Sequence, residues 1–554
     1  MTLWSSLRVG LVVMPRVLVA DKLESAGIEL LKAAGLEVDN RPGLKGDDLL
    51  AAVREADAVI CRSQPQLTAA VLADPGKCRA IARAGVGVDN IDVPAATRMG
   101  VVVMNTPSGN TVSAAEHTVA LMMTLARRIP AADATMRAGG WDRAKFVGTQ
   151  LTGKTLGVVG LGRIGQEVAK RAAGLGMAVL GFDPFVTSAR AAELGIQAAP
   201  NLDALLPQVD FLTVHIPLTP ETRHLIGERE LGLMKKSSRL LNVSRGGIID
   251  ELALAAALTA GTVAGAAIDV FEVEPPPADH PLRTAPNCVV TPHLGASTTE
   301  AQENVAVEAA QLIADFLLKG VVANAVNMAS VDRAELDGLR QYVDLARRLG
   351  LLHAQLAQGP IRKVSLTYKG ELAAKKTKLL TAAFTAGLLE FRLESGVNLV
   401  NAEVTARERG IEIAEALSPK KGDFAAVLHA EVETDAGTVV AAGTLFGDQY
   451  LRLVQLNEFR LETYLDGNLF VFHHTDVPGL IGFVGNVFGT HGVNIAGMHL
   501  GRSGNAPGGP AIGVLNLDGV PPEAAMEAAR EHPSIHHVDL VKLPPAGELP
   551  AWLG

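Results

Sequence analysis

The first chemistry this chain offers is an apolar run that ends in closely spaced glycines. Thr155 to Val159 pass into Gly160-Leu161-Gly162-Arg163-Ile164-Gly165, and a helical pattern follows from Gln166 to Gly174. Such glycines permit a tight turn and a close approach of backbone to a pyrophosphate, and the helix start favours the anion. A lone G-x-G-x-x-G is a weak signal. A strand before it, a helix after it and an acid at the right offset make it strong. That acid is Asp183, which closes the next apolar run. A carboxylate there binds ribose hydroxyls and repels a 2′-phosphate, so the expected cofactor is NAD rather than NADP.

Open α/β sheets place ligands at the carboxyl ends of their strands. Phe211–Val214 delivers His215, Leu240–Val243 delivers Ser244 and Arg245, Ala266–Ile268 delivers Asp269 with Glu274 soon after, and Val289–Pro292 delivers His293. Oxidising an alcohol by hydride loss needs a base for the hydroxyl proton, and imidazole titrates in the right range. A carboxylate beside that histidine stabilises its protonated form. A planar guanidinium holds the substrate carboxylate and polarises the developing carbonyl. His293, Glu274 and Arg245 fit those roles. Taken singly, the histidine is more often structural, Glu274 beside Pro275 to Pro277 is a solvated loop acid, and Arg245 is a surface cation. Their joint position downstream of a dinucleotide fingerprint reverses those readings.

These residues need a scaffold, and the patterning supplies one. From Met14 to about Ser330, short apolar runs alternate with longer Ala/Leu-rich helical stretches, the signature of βαβ units and parallel sheets. The runs are 16–20, 58–61, 80–82, 101–104, 155–160, 178–183, 211–215, 240–244, 266–270 and 288–292. A long Ala-rich helix pattern from Val112 to Ile129 divides the block into two sub-domains, and the chain returns to the first after His293. Beyond Ser330 the character changes to α+β. Strand-like stretches stand at 364–368 and 424–434, with a hairpin turn at Asp435-Ala436-Gly437. A βαββαβ order from Leu469 to Leu543 predicts a ferredoxin-like unit.

Bulk properties narrow the function. At 554 residues the chain exceeds a single core. A net charge of −9 argues against nucleic acid as the main partner. No stretch reaches the roughly 20 apolar residues that span a bilayer. Cys61, Cys78 and Cys288 show no metal-type or redox-type spacing, so no metal is expected and the thiols read as core residues of a cytoplasmic protein. Residues 1–13 lack a secretory pattern and read as an upstream-start artefact or a disordered tail.

The segments Arg83 to Asn90, Gly160 to Gly165, Asn242 to Asp250, Asp269 to Pro275 and Pro292 to Ser297 together resemble the D-isomer-specific 2-hydroxyacid dehydrogenases. The resemblance implies His293 as acid/base, Glu274 as its partner and Arg245 as the substrate-orienting cation. It also implies cofactor contacts from Arg163, Ile164, Asp183, Val243, Ser244, Arg245, Asp269 and the His293–Gly295–Ala296 turn. Val86 stands where phosphoglycerate dehydrogenases often carry Thr, which removes a hydroxyl contact to the cofactor. Arg62, Ser63, Arg83, Gly85 and Asn110 resemble the segments that contact substrate in those enzymes, and the stretch holding Arg143 and Lys145 resembles one that supplies a cation across a dimer interface. Singly, such cations are more often plain surface charges.

The C-terminal half sharpens the resemblance. Residues 330–464 resemble the intervening allosteric domain of the long-form phosphoglycerate dehydrogenases, and 468–543 resemble an ACT domain. The expected fold is therefore α/β with two Rossmann-like parallel-sheet domains, then an α+β allosteric domain and a βαββαβ ACT domain. Its expected parts are an extension (1–13), a substrate-binding domain (14–110 and 298–329), an NAD-binding domain (111–297), the intervening domain (330–464), the ACT domain (468–543) and a tail (544–554). The implied substrate is 3-phospho-D-glycerate, with a glyoxylate/hydroxypyruvate reductase or another D-2-hydroxyacid dehydrogenase as the alternative. A helix start near Gly479 suits a carboxylate, Asp476 an ammonium and Asn494 a bridge between polar ends, so Asp476 and Asn494 are candidate serine contacts, and His474 stands at a position that resembles a serine contact in those enzymes; Asp476 equally reads as a helix cap. ACT sheets pair between subunits, which implies a homo-oligomer, a tetramer.

Overall fold

The computed structural model describes residues 14–329, 333–393, 396–447, 449–504 and 508–549, so the N-terminal extension (1–13) lies outside the described residues. The first sheet is parallel, with β1 (Arg16–Val19), β2 (Glu37–Asn40), β3 (Ala58–Cys61), β4 (Ala80–Arg83) and β5 (Val102–Asn105) in the order β2-β1-β3-β4-β5. Its runs are apolar because helices cover both faces. The exception is β2, a polar edge strand that no hydrophobic run announces.

The Ala-rich pattern is a helix over Thr111–Arg127 that crosses to the second sheet. It stops two residues earlier than its apolar pattern. Arg128 turns left-handed at φ 53°, and a second helix, Ile129–Arg137, starts with Pro130 in its first turn. The second sheet is also parallel. It holds β6 (Thr155–Val159), β7 (Ala178–Phe182), β8 (Gln197–Ala198), β9 (Phe211–Val214), β10 (Arg239–Asn242), β11 (Gly265–Ile268) and β12 (Cys288–Val290), ordered β12-β11-β10-β9-β6-β7-β8. The order reverses between β6 and β9, which opens the crevice where such sheets take ligands. A 21-residue helix, Thr299–Lys319, then returns and packs on β3, β4 and β5.

The third sheet comprises β13 (Ile361–Gly370), β14 (Glu412–Ser418), β15 (Ala426–Thr434), β16 (Gly437–Phe446), β17 (Tyr450–Leu456) and β18 (Phe459–Tyr464), with the Arg333–Leu356 and Lys378–Glu390 helices packed together. Residues 435–436 make the expected hairpin turn between β15 and β16. The fourth sheet is antiparallel, with β19 (Asn468–Thr475), β20 (Ile495–Arg502), β21 (Pro510–Leu517) and β22 (Ile535–Lys542) ordered β20-β21-β19-β22, the ferredoxin-like arrangement. Its Leu469, Val471, Ile512, Val514 and Val541 share one apolar core with the third sheet and the Arg333–Leu356 helix. Among the described residues no helix is long and apolar enough to cross a membrane. Cys61 and Cys78 are buried, and burial pushes their thiols up to about 12, as befits packing residues.

One buried cation ties the last two units together. Arg348 is 0 % exposed, and its Nε donates to Asp344 Oδ2 at 2.9 Å. Its remaining N–H groups donate to the carbonyls of Leu465, Pro544, Pro545 and Glu548. The first part of the expected tail is thus docked. Burial is the largest influence on Asp344 and raises its pKa, and Arg348 opposes it. Removing one partner of a buried pair strands the other charge, at a cost of about 3–5 kcal/mol, whereas replacing both with apolar groups is often neutral. Arg348→Ala is expected to lower the calorimetric unfolding temperature of the C-terminal half, and Asp344→Leu/Arg348→Met to recover most of it. An Arg348→Ala scan that overlays the wild type would show the clamp to be idle.

Candidate active site

The glycine turn follows β6 and leads into the Arg163–Gly174 helix, which begins at Arg163 rather than at Gln166. Gly160 has φ +92°, and a Cβ there would fall 2.4 Å from the His215 carbonyl oxygen. Only glycine fits. A Cβ on Gly165 would lie 2.0 Å from Gly160 O, whereas Gly162 faces open space, where a pyrophosphate would lie. Asp183 ends β7 and accepts one backbone N–H on each oxygen, from Leu161 at 2.8 Å and Phe185 at 2.8 Å. Each oxygen keeps lone pairs for ribose hydroxyls. His215 accepts or donates at Nε2 with Thr213 Oγ1, 2.9 Å away, while its buried Nδ1 has no partner. A cradle cleared of side chains and an orphaned ring nitrogen beside it fit a bound dinucleotide.

Along the carboxyl edge of the same sheet the three reacting candidates are braced by backbone. Asn242, at the end of β10, donates from its side chain to Arg245 O at 2.8 Å and accepts from Ser244 N at 3.1 Å. Ser244 Oγ donates to Ile216 O at 2.8 Å. A Cβ on Gly246 would meet the Phe271 carbonyl at 2.0 Å, so the Arg245 turn rests directly on the loop carrying Glu274. Arg245 points across the cleft towards the first sheet. Its Nε lies 3.2 Å from Asp89, and a Cβ on Gly87 would be 1.7 Å from its Nη2.

His293 Nδ1 and Glu274 Oε2 are 2.7 Å apart, and Glu274 Oε1 accepts from Phe271 N at 3.0 Å. Burial pushes the Glu274 pKa up, but the His293 and Phe271 hydrogen bonds outweigh it, and the net direction is down. The pair therefore presents an ionised carboxylate to one ring nitrogen and leaves Nε2 for a substrate proton. His293 itself is left-handed, at φ 55°. Its turn is held by Asp269, which is 0 % exposed and accepts from His117 Nε2 (3.2 Å), Thr291 Oγ1 (2.6 Å), Leu294 N (2.8 Å) and Gly295 N (2.9 Å). Burial pushes the Asp269 pKa up, and these donors more than reverse that. His117 and Asn242 were not among the expected functional residues. Asn242 ends an apolar run, which is a usable signal; His117, on a helix, offers none. Val243 packs against Gly295, and Ala296 O accepts from Gln302.

The substrate candidates divide. Arg62 and Ser63 follow β3, and Arg83 closes β4, so they stand at the carboxyl edge that faces Arg245. Arg83 is held beside Gly85, and its Nε is buried without a partner. Burial, with Arg245 and Arg62 nearby, lowers its pKa despite opposing pulls from Cys61 and Asp89. Such a crowded cation calls for an anion. Asn110 begins the crossing helix with a buried, unpartnered Oδ1. Arg143 and Lys145 are the pair expected to act across a dimer interface. Both are exposed, and Arg128 joins Lys145 O to Asn287, at the opposite end of β12 from His293. Within one chain they do not reach the site, because their segment has no core to fold onto.

The effector candidates also divide. His474 is buried with Nε2 unpartnered, and Arg502 Nε approaches Asp476 Oδ2 at 2.8 Å. Asp476 does not cap the following helix; Gly479 precedes it with no side-chain cap. Asn494 binds Asp518 at 2.6 Å, beside the Ile495–Leu517 pairing, whereas Thr475 pairs with Pro510 at the other end of β21. One chain therefore separates Asn494 from the other two by nearly the length of the sheet.

Residues 119–295 match the family model of the D-isomer specific 2-hydroxyacid dehydrogenase NAD binding domain, 338–457 that of the D-3-phosphoglycerate dehydrogenase intervening domain, and 468–533 that of the ACT domain. The chain is 42 % identical over 512 residues to a D-3-phosphoglycerate dehydrogenase of Archaeoglobus fulgidus, covering 92 % of this chain and 97 % of that one. It is 41 % identical over 530 residues to the enzyme of that name from Methanocaldococcus jannaschii, covering 96 % and 100 %. Among solved structures, the TT0316 protein of Thermus thermophilus is 36 % identical at TM-score 0.52, covering 56 % of this chain and 99 % of that one. A glyoxylate reductase of Paecilomyes thermophila is 29 % identical at TM-score 0.53, covering 57 % and 98 %.

A stability measurement tests His215, whose Nδ1 is buried. Burial lowers its pKa from 6.5 to about 4. Between those values the unfolded chain binds a proton that the native one refuses. The contribution is present above the unfolded value and is lost as pH falls towards the folded one, about 3 kcal/mol in all. Urea unfolding of His215→Gln is expected to lose correspondingly less stability than wild type between pH 7 and pH 4.5. Equal losses would place His215 in solvent contact.

Proposed function

The chain belongs to the D-3-phosphoglycerate dehydrogenases, within the D-isomer specific 2-hydroxyacid dehydrogenases, and we propose that it oxidises 3-phospho-D-glycerate to 3-phosphooxypyruvate at the cleft between its two parallel sheets. The His293–Glu274 pair, set on the carboxyl edge opposite a crowded group of arginines, carries this reading. Arg245 exchanges Asp89 for the substrate carboxylate and polarises the carbon–oxygen bond. His293 Nε2 takes the hydroxyl proton as the C–H hydride departs, and Glu274 balances the imidazolium across Nδ1. NAD, when bound, supplies the hydride acceptor. Gly160, Gly162, Gly165 and the Arg163–Ile164 helix start hold its pyrophosphate, Asp183 its ribose, and His215, Val243, Ser244 and the Gly295–Ala296 turn line its path. Arg62, Ser63, Arg83 and Asn110 serve the phosphorylated end. The matching division is 14–110 with 298–329 for substrate and 111–297 for NAD.

The enzyme name implies the first step of serine synthesis, and the ACT domain suits a serine effector. In this reading β20, an edge strand, pairs antiparallel with β20 of a second copy. That brings Asn494 of one copy to His474 and Asp476 of the other. The exposed Ile129, Met136, Trp141 and Val147 mark a second contact between copies, which carries Arg143 and Lys145 to the neighbouring cleft. Two such contacts build a tetramer, and the cytoplasm supplies its substrates.

NADH formation is expected with 3-phosphoglycerate and not with glycerate or lactate. Preference for an unphosphorylated acid, or for glyoxylate or hydroxypyruvate in reverse, would return the alternative reductase. His293→Ala is expected to lower kcat by roughly 10²–10⁴, with NADH binding retained. Full turnover in that variant would remove its acid–base role.

A further inference from the structure

We propose that His117, on the crossing helix, is a positioning residue that sets the His293–Glu274 pair through Asp269. The proposal rests on the reading of His293 as the acid–base group. Asp269 Oδ1 collects three donors: His117 Nε2 at 3.2 Å, Thr291 Oγ1 at 2.6 Å and Leu294 N at 2.8 Å. A carboxylate only accepts, so the His117 proton sits on Nε2. Asp269 Oδ2 takes Gly295 N, and Asp269 O takes His293 N at 2.8 Å. Every backbone N–H from His293 to Gly295 therefore ends on Asp269. One turn before His117, Ser113 Oγ donates to Gly295 O at 2.9 Å. The helix thus grips the catalytic turn at two points. It also begins at Asn110, beside the substrate cleft, so the two sides of the active site share one rigid element.

The titratable groups around Asp269 are His117, Glu274 and His293; its charge acts against ionisation of Glu274. Losing the His117 donor leaves the single negative charge of Asp269 less compensated. A less compensated anion favours the protonated form of His293. The loss also loosens the turn, and small displacements of a reacting group are costly in rate.

His117→Leu in the full-length enzyme is expected to lower kcat on the order of 10- to 100-fold, the scale of a slight misplacement. NADH affinity is expected to stay within about threefold, and the acid limb of the kcat–pH profile to move up by about half to one pH unit. His117→Gln, which keeps an N–H at similar reach, is expected to restore both. Thr291→Val removes a second donor to the same oxygen, and its effect on kcat is expected to combine non-additively with that of His117→Leu. Wild-type kcat and an unmoved acid limb in His117→Leu would overturn the proposal. So would a loss that Gln does not rescue and that NADH binding shares, since that is plain damage to the fold. If His117→Leu does not fold, His117→Ala, which also lacks the donor, takes its place, and wild-type kcat with an unmoved acid limb there overturns the proposal equally. His293→Ala separates the two readings: turnover retained there removes the acid–base assignment, whereas its loss beside an unaffected His117→Leu removes only this one.

Discussion

The Asp269 carboxylate has no contact with solvent, yet its pKa is held down rather than raised. Four donors make that tenable, and two of them are the backbone N–H groups directly after His293. A non-glycine residue in the left-handed region is sparsely populated and persists where surrounding contacts over-determine it. Here the surrounding contact is a buried anion. The same anion fixes where the imidazole meets Glu274, so one electrostatic constraint shapes both the turn and the imidazole–carboxylate contact.

The rest of the architecture follows from bringing a second surface to that turn. The reversal between β6 and β9 leaves a crevice for the dinucleotide, and the loop after β4 meets Arg245 across the cleft. Arg245 bridges the gap, anchored in the second sheet by Asn242 and reaching Asp89 in the first. The close fit at Gly87 and Gly246 shows how little slack the crossing has. A side chain at either glycine would push the guanidinium away from its neighbours, or the Arg245 turn away from the loop that holds Glu274.

Much of this was legible because the reacting residues abut apolar runs. His293, Arg245 and Asp269 follow strands that announce themselves by hydrophobicity, and Glu274 lies a few residues beyond one. Polar edge strands such as β2 carry no such mark, and β8 is only two residues long. The Asp269–His117 contact joins positions 152 residues apart, which no local pattern encodes. Arg348 sits in a helix whose sequence gives no sign that the far C-terminus will cover it. Arg143 and Lys145 were placed by likeness to a segment that works between subunits and Asn494 by its capacity to bridge polar ends, and a single chain leaves all three far from the groups they were expected to join. The physical reason is that, among the described residues, no strand extends the β20 edge and no buried residue anchors the Ile129–Arg137 helix.

That observation bears on how the two ends of the molecule are joined. The fourth sheet shares its apolar core with the third, and Arg348 binds both the entry to the fourth unit at Leu465 and its exit at Pro544. A shift of the fourth unit therefore carries the Arg333–Leu356 helix with it. At the other border, Asn398 donates to Gly100 O at 2.9 Å and Asn401 to Arg98 O at 3.3 Å, a few hydrogen bonds on the loop before β5. The first junction is a packed core, and the second is a narrower seam of these hydrogen bonds and Val400, which is buried in the core of the first sheet. Motion driven by a ligand at the C-terminal sheet would be absorbed at the seam, beside the sheet that carries Arg62 and Arg83. Coupling in this fold then requires no continuous chain of contacts to His293, only a change in how the arginine-bearing sheet is held against it.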